Sequence, residues 1–208
     1  MKVLYSTFGF DKEKVTRAMR SLAYDRLVIV TSEDNTRSEE YLDILEINRM
    51  SRTPVDTLIV DKFDLLECFE DIMESLLENK KNNDSVAINI SGGTSLLACA
   101  AMLAAFQTGV EAYHVDDAVV RLPVLRHVSF EETLTEGQRG ALLNFVDGVR
   151  LDEIRAMRKS NNERDLLIDY LALKKIGMLE SKSEDDLARL YLTKFGQTYK
   201  RFLAKGRK

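Results

Sequence analysis

Apolar and polar positions in the first 130 residues form short apolar runs that alternate with stretches of helical period. Val3–Tyr5, Leu27–Thr31, Thr57–Val60 and Val86–Ile90 read as buried strands. Between them, Asp11 caps a segment with Val15, Ala18, Met19 and Leu22 on one face. Ser38–Met50 is helical with Leu42, Leu45 and Ile47 as its apolar positions, and Asp64 caps a segment carrying Leu65, Phe69, Ile72, Met73 and Leu76. Asn82-Asn83-Asp84 breaks that helix, and Ser95–Gln107 forms the next one. Alternation of this kind predicts a doubly wound, Rossmann-like α/β fold with a mainly parallel sheet. Leu96–Phe106 is apolar on nearly all sides, which predicts deep packing against the sheet or in a subunit contact. Two more β runs, Val110–Val115 and Val119–Leu125, are separated only by Asp116-Asp117-Ala118 and predict an antiparallel edge hairpin, with Pro123 at an edge position.

The last third reads differently. Glu136–Val146, Leu151–Met157 and Glu163–Ile176 are three short helices, the third stopped by Gly177. Met178–Ser181 and Ala188–Thr193 are two β runs around a polar turn at Lys182–Asp186, and Lys194–Leu203 is a closing helix. Three helices followed by a hairpin is the winged helix-turn-helix order. The expected domains are therefore 1–130, a Rossmann-like ligand-binding unit, and 133–208, a winged helix-turn-helix unit.

Two strand-to-helix loops carry the candidate chemistry. Ser6-Thr7-Phe8-Gly9-Phe10 follows the first strand, and Asn89-Ile90-Ser91-Gly92-Gly93-Thr94-Ser95 follows the fourth. Gly9, Gly92 and Gly93 are expected to let the backbone approach a ligand, while Ser6, Thr7, Asn89, Ser91, Thr94 and Ser95 offer polar groups beside the free N–H groups of a helix start. Thr31 and Ser32, ending the second strand, are further polar candidates for contacting a ligand there. In a parallel sheet such loops lie at the carboxyl ends of the strands, where these folds hold ligands. If the two loops sit on neighbouring strands they make one site. Bulky residues at Gly92 and Gly93 are then expected to abolish binding while leaving the fold intact.

Composition narrows the function. The chain has 208 residues, 45% of them hydrophobic, and a formal charge of −4. Residues 1–130 carry 14 Lys/Arg against 21 Asp/Glu and residues 131–208 carry 16 against 13, so the basic surplus lies in the second unit. Double-stranded DNA is its expected partner, through Arg158, Lys159, Asn161, Asn162, Arg164, Lys174, Lys182 and Arg189, although Glu163, Asp165 and Asp169 place acid on the third helix. A protein-contact role for this unit is the alternative. No stretch reaches the roughly 18 apolar residues of a membrane span, and the N-terminus lacks a signal-peptide pattern, so a cytoplasmic location is expected. Cys68 and Cys99 both fall in apolar helical patterns and read as core residues, with no metal expected. There is no Gly-x-Gly-x-x-Gly after the first strand and no phosphate loop ending in Gly-Lys-Ser/Thr, which disfavours dehydrogenases and nucleoside triphosphatases. His114 next to Asp116 invites an acid/base reading, but a lone strand-end histidine is more often structural.

Taken together, the Ser6–Phe10 loop, the Asn89–Thr94 loop, the Leu122-Pro123-Val124-Leu125 edge and the helix-rich tail resemble the CRISPR-associated Rossmann-fold (CARF) transcriptional regulators with a C-terminal winged helix. The resemblance implies a homodimer that binds a cyclic oligoadenylate, the tetra-adenylate foremost, across its two-fold axis and so adjusts DNA binding, with no cofactor. In members that cleave their ligand a lysine often follows the Gly-Gly-Thr-like turn. Ser95 stands there, so the resemblance implies binding without turnover, with a metal-independent ring nuclease, or another nucleotide-binding enzyme, as the alternative and Arg17 or Arg37 as possible replacement cations.

Overall fold

The computed structural model describes residues 1–82, 85–123, 134–150, 166–184 and 187–205. The chain divides into two compact units, Met1–Val128 and Ser129–Lys208.

In the first unit the strands are β1 (Lys2–Thr7), β2 (Arg26–Thr31), β3 (Val55–Ile59), β4 (Ser85–Asn89), β5 (Glu111–Val115) and β6 (Val119–Arg121). They form one sheet in the order β3-β2-β1-β4-β5-β6, parallel except for β6, which runs antiparallel to β5. The helices are α1 (Lys12–Ser21), α2 (Glu39–Met50), α3 (Leu65–Lys81) and α4 (Ser95–Thr108), with a 3₁₀ turn at Glu33–Arg37 that the periodicity did not reveal. β1 and β2 are buried along almost their whole length, as strands covered on both faces must be. Side chains alternate across the sheet, so Leu4 joins Val15, Ala18, Tyr41 and Ile44 under α1 and α2, while Tyr5 turns to the other face and bonds Ser75 and Asn79 of α3.

Two capping residues behave as the sequence predicts: Asp11 accepts from Glu13 N, and Asp64 from Leu66 N and Glu67 N; Thr94, expected as a polar group of the ligand loop, is in addition the cap of α4 and accepts from Leu97 N. Gly109 ends α4 with φ +66°, the left-handed conformation that spares glycine a steric penalty. Small residues let α4 lie close to its neighbours, burying Leu97, Ala100, Ala101, Ala104 and Ala105.

Three expectations are corrected. The buried face of α2 is Tyr41, Ile44 and Asn48, whereas Leu42 and Ile47 are exposed; the mixed run Tyr41–Asn48 supports two apolar faces, and contact with α1 selects the one where Asn48 bonds Tyr24 and the Ile44 carbonyl. Cys99 is exposed on α4, because the sheet-facing arc of that helix is filled by its alanines; only Cys68 is a core thiol. The edge strand β6 ends at Arg121, so Pro123 lies outside it, and the expected run to Leu125 passes beyond the described residues.

The second unit contains α5 (Glu136–Leu143), β7 (Val149–Arg150), α6 (Leu166–Lys175), β8 (Leu179–Glu184), β9 (Leu187–Leu192) and α7 (Lys194–Lys205). Its three strands make an antiparallel sheet in the order β7-β9-β8. Leu142, Phe145, Tyr170, Leu173, Met178, Leu190 and Tyr199 form the centre of its core. Thr135 and Gln138 make a reciprocal capping box at the start of α5, which ends at Leu143, short of the expected Val146. The hairpin is present but its strands are longer than expected: Lys182–Glu184, read as turn, pair with Leu187–Arg189. The expected second helix, Leu151–Met157, and the start of the third lie outside the described residues.

Candidate functional site

β1 and β4 are adjacent and in register, with Ser6 opposite Asn89. The chain leaves β1 toward β2 and β3 on one side, and leaves β4 toward β5 on the other. The junction of β1 and β4 is therefore the point where strand order reverses, the place where open α/β sheets bind ligands. The two glycine-bearing loops meet there, and the condition for a single site is fulfilled.

The geometry of that meeting assigns the predicted residues different roles. Asn89 is fully buried, and its amide donates to Ser6 Oγ at 2.9 Å and to the Lys14 carbonyl at 3.2 Å. Its Oδ1 accepts from Ser91 N at 3.2 Å and Ser91 Oγ at 2.7 Å. Thr7 Oγ1 accepts from Gly92 N at 3.1 Å and lies 3.4 Å from the Asn89 carbonyl. Thr31 Oγ1 donates to the Phe8 carbonyl at 3.0 Å and accepts from Asn35 at 3.2 Å. Phe8 is a core residue, its ring 6.0 Å from that of Tyr41. Ser6, Thr7, Thr31, Asn89 and Ser91 thus bond the loops to one another. The groups at the surface are Phe10, Gly93 and Ser95, with Thr94 half-buried.

The glycines serve the same closure. A Cβ on Gly92 would stand 2.1 Å from the Thr7 carbonyl oxygen, and one on Gly9 would stand 2.8 Å from the Gly93 Cα. Gly93 has φ +80°, a conformation other residues rarely adopt. The close approach that Gly92 permits is to the β1 backbone, so the expectation that bulky residues at Gly92 leave the fold intact is corrected: they would push the two loops apart.

Sequence reading missed Asp34, Lys62 and Phe63 at this edge. Thr94 Oγ1 lies 3.4 Å from the Lys62 carbonyl, so the turn between β3 and α3 reaches the β4 loop. Lys62 Nζ bonds Asp34 at 2.6 Å and lies 5.4 Å from the Phe63 ring centre; Phe63 itself is exposed. The Lys62 ammonium beside Asp34 holds its carboxyl below the ordinary carboxylate range. His114 Nδ1, at the end of β5, is 3.5 Å from Ser91 Oγ, which already accepts from Val115 N. The only advance signal for Lys62 and Phe63 was their position just after a strand and before the Asp64 cap. Among the described residues no cluster of His, Cys, Asp or Glu could hold a metal ion, and no helix is long and apolar enough to cross a membrane.

In the second unit, Arg158, Lys159, Asn161, Asn162 and Arg164 lie outside the described residues. Lys174 bonds Ser181 Oγ, Lys182 pairs with Glu180 and covers the Tyr191 ring, and Arg189 donates to the Gly148 carbonyl. The outward face of α6 carries exposed Ile168 and Leu171.

A family model described as "HFX_2341_N:-like, N-terminal" matches residues 4–118. No curated protein matches the chain. Two solved structures are similar in fold. Protein VC1899 from Vibrio cholerae is 10% identical with a TM-score of 0.53, the match covering 97% of this chain and 64% of that one. Can2 from Sulfobacillus thermosulfidooxidans, solved in complex with cyclic tetra-adenylate, is 15% identical with a TM-score of 0.50, covering 99% and 62%. The chain spans under two thirds of the length of either protein.

Proposed function

The chain belongs to the HFX_2341_N:-like, N-terminal family, whose model matches more than half of it, and from this premise we propose that it is a ligand-responsive transcriptional regulator whose first unit is a CARF domain sensing a cyclic oligoadenylate. The observation that carries the reading is the pairing of Ser6 with Asn89, which seats two glycine-bearing loops side by side at the switch point of the sheet. That Can2, of similar fold, was solved with cyclic tetra-adenylate supports the choice of ligand.

A two-fold symmetric ring suits an isologous homodimer in which each subunit gives the same loops. The backbone at exposed Gly93 and Ser95, at the start of α4, would face its phosphates, with Phe10 at the rim beside its bases. A ligand that binds one dimer arrangement better shifts the population toward it, and so changes the spacing of two winged helices on DNA. Of the residues expected to contact DNA, Lys174, Lys182 and Arg189 are among those described.

Calorimetric titration with cyclic tetra-adenylate, chromatography of the incubated sample and gel shifts with and without ligand test the proposal together. One intact ring per two chains and a ligand-dependent operator affinity are expected. Absence of binding overturns the sensor reading, and an unchanged gel shift overturns the regulator reading. Linear products would make the protein a ring nuclease despite Ser95. A second reading of the C-terminal unit, as a protein-contact module, is favoured by the apolar Ile168 and Leu171 on the outer face of α6.

A further inference from the structure

Lys62 stands apart from the other cations of the first unit. In the sheet, β3 is separated from β4 by β2 and β1, yet the Lys62 carbonyl lies 3.4 Å from Thr94 Oγ1 in the loop after β4. The turn between β3 and α3 therefore reaches the same carboxyl edge as the two glycine-bearing loops. The Lys62 side chain extends from that turn to the 3₁₀ turn after β2, where its Nζ meets Asp34 Oδ2 at 2.6 Å. Three loops of the site converge on one lysine.

The pair is asymmetric. The Lys62 side chain is 15% exposed and Asp34 62%, so the cation is the fixed, partly desolvated member and the carboxylate is the one free to turn into water. A partly desolvated ammonium needs an anion close by. Asp34 supplies it from a position that a phosphodiester could take. Two neighbours point to a nucleotide as the incoming anion. Phe63 presents an exposed ring beside the Lys62 ammonium, a flat apolar face of the kind on which bases stack. On the Asp34 turn, Asn35 Oδ1 is a buried acceptor with no donor among the described residues, able to take one from an amino group or hydroxyl. Ser32 Oγ, buried on the same turn, lies near the Asp34 carboxylate and favours its charge without a hydrogen bond of good geometry.

We infer that Lys62 is a phosphate-binding residue of the site, occupied by Asp34 as an internal competitor that the nucleotide ligand displaces. The inference rests on the ligand reading given above. Asp34 then sets the affinity by competition.

The two members of the pair give opposite signs. Calorimetry of the full chain with cyclic tetra-adenylate is expected to show Lys62→Gln weakening binding by about ten- to a hundredfold, the loss of one charge-assisted contact. Asp34→Asn is expected to tighten binding by about threefold or more, since it frees the ammonium while leaving the turn's size unchanged. Lys62→Arg is expected to retain most of the wild-type affinity, and the salt dependence of binding is expected to be shallower in Lys62→Gln. Unfolding midpoints of the three variants establish that they are folded. Wild-type binding with both neutral variants shifted in the same direction, or neither shifted, would overturn the inference while leaving the sensor reading in place. No binding by the wild type would overturn both.

Discussion

Replacing Gly92 by alanine tests the account of the site most directly. The added Cβ would lie 2.1 Å from the Thr7 carbonyl oxygen and 2.9 Å from the carbonyl carbon. Both are backbone atoms of β1, held on either side by β2 and β4, so neither can rotate away. Forcing them apart costs about 1–3 kcal/mol by analogy with overpacked cores. The Gly92 N–H bond to Thr7 Oγ1, at 3.1 Å, would be stretched with it, adding about 0.5–1.5 kcal/mol. The expected loss is about 2–4 kcal/mol, which for a unit of this size lowers the melting temperature by about 6–15 °C. Differential scanning calorimetry of the full chain measures it, with Gly140→Ala as the control. Gly140 lies within α5 with no atom within 4 Å of an added Cβ, so that change is expected to stabilise by about 0.5–1 kcal/mol. Gly93→Ala should fall between them: its φ of +80° is strained by about 1 kcal/mol, but the clash is with the movable end of Leu97. A Gly92→Ala protein melting within about 1 °C of wild type would refute the close approach of the two loops.

Three further outcomes are expected. Asn89→Ala leaves the partners of four hydrogen bonds short of one in a fully buried position, and urea denaturation should show a loss of about 2–4 kcal/mol; a loss under about 1 kcal/mol would contradict the network. Native protein should titrate one fast thiol with a disulfide reagent and a second only on unfolding. Cys99 is exposed, whereas burial pushes the Cys68 thiol up to about 12; two fast thiols, or a fast thiol that persists in Cys99→Ser, would contradict that assignment. Nuclear magnetic resonance should place the Asp34 titration below 3.8, and Lys62→Gln should return it toward that value. Because the folded-state pKa is depressed, the pair's stabilisation is present above the ordinary carboxylate range and is lost as pH falls through the lowered value. An unshifted Asp34 would show that the pair does not form in solution.

Much of the architecture was legible because the periods of two and 3.6 are local properties of the chain. The strand β4 and the Asp11 and Asp64 caps all follow from neighbours in sequence. The α2 face was misread because Tyr41–Asn48 carries apolar residues around most of the helix, and only contact with α1 chooses among them. Cys99 was misread for the same reason: an all-apolar helix gives no phase. The hairpin strands ran longer than expected because cross-strand pairing holds Lys182–Glu184 in place, whatever their polarity.

The sequence by itself determined that two strands end in glycine and hydroxyl residues, that the fold alternates strands and helices, and that the last third follows another pattern. These are set by periodicity, caps and turn residues within a few positions of each other. Tertiary structure alone decided which strand lies beside which, and with it the function of each group. Strand order placed Ser6 opposite Asn89 and turned most of the predicted ligand contacts inward, because hydroxyls and an amide buried at a parallel strand end must find partners within the protein. It also brought Lys62, in the turn after the edge strand β3, to the loop at Thr94. No local rule links residues 34, 62 and 94; only the packing of the chain brings them to one place.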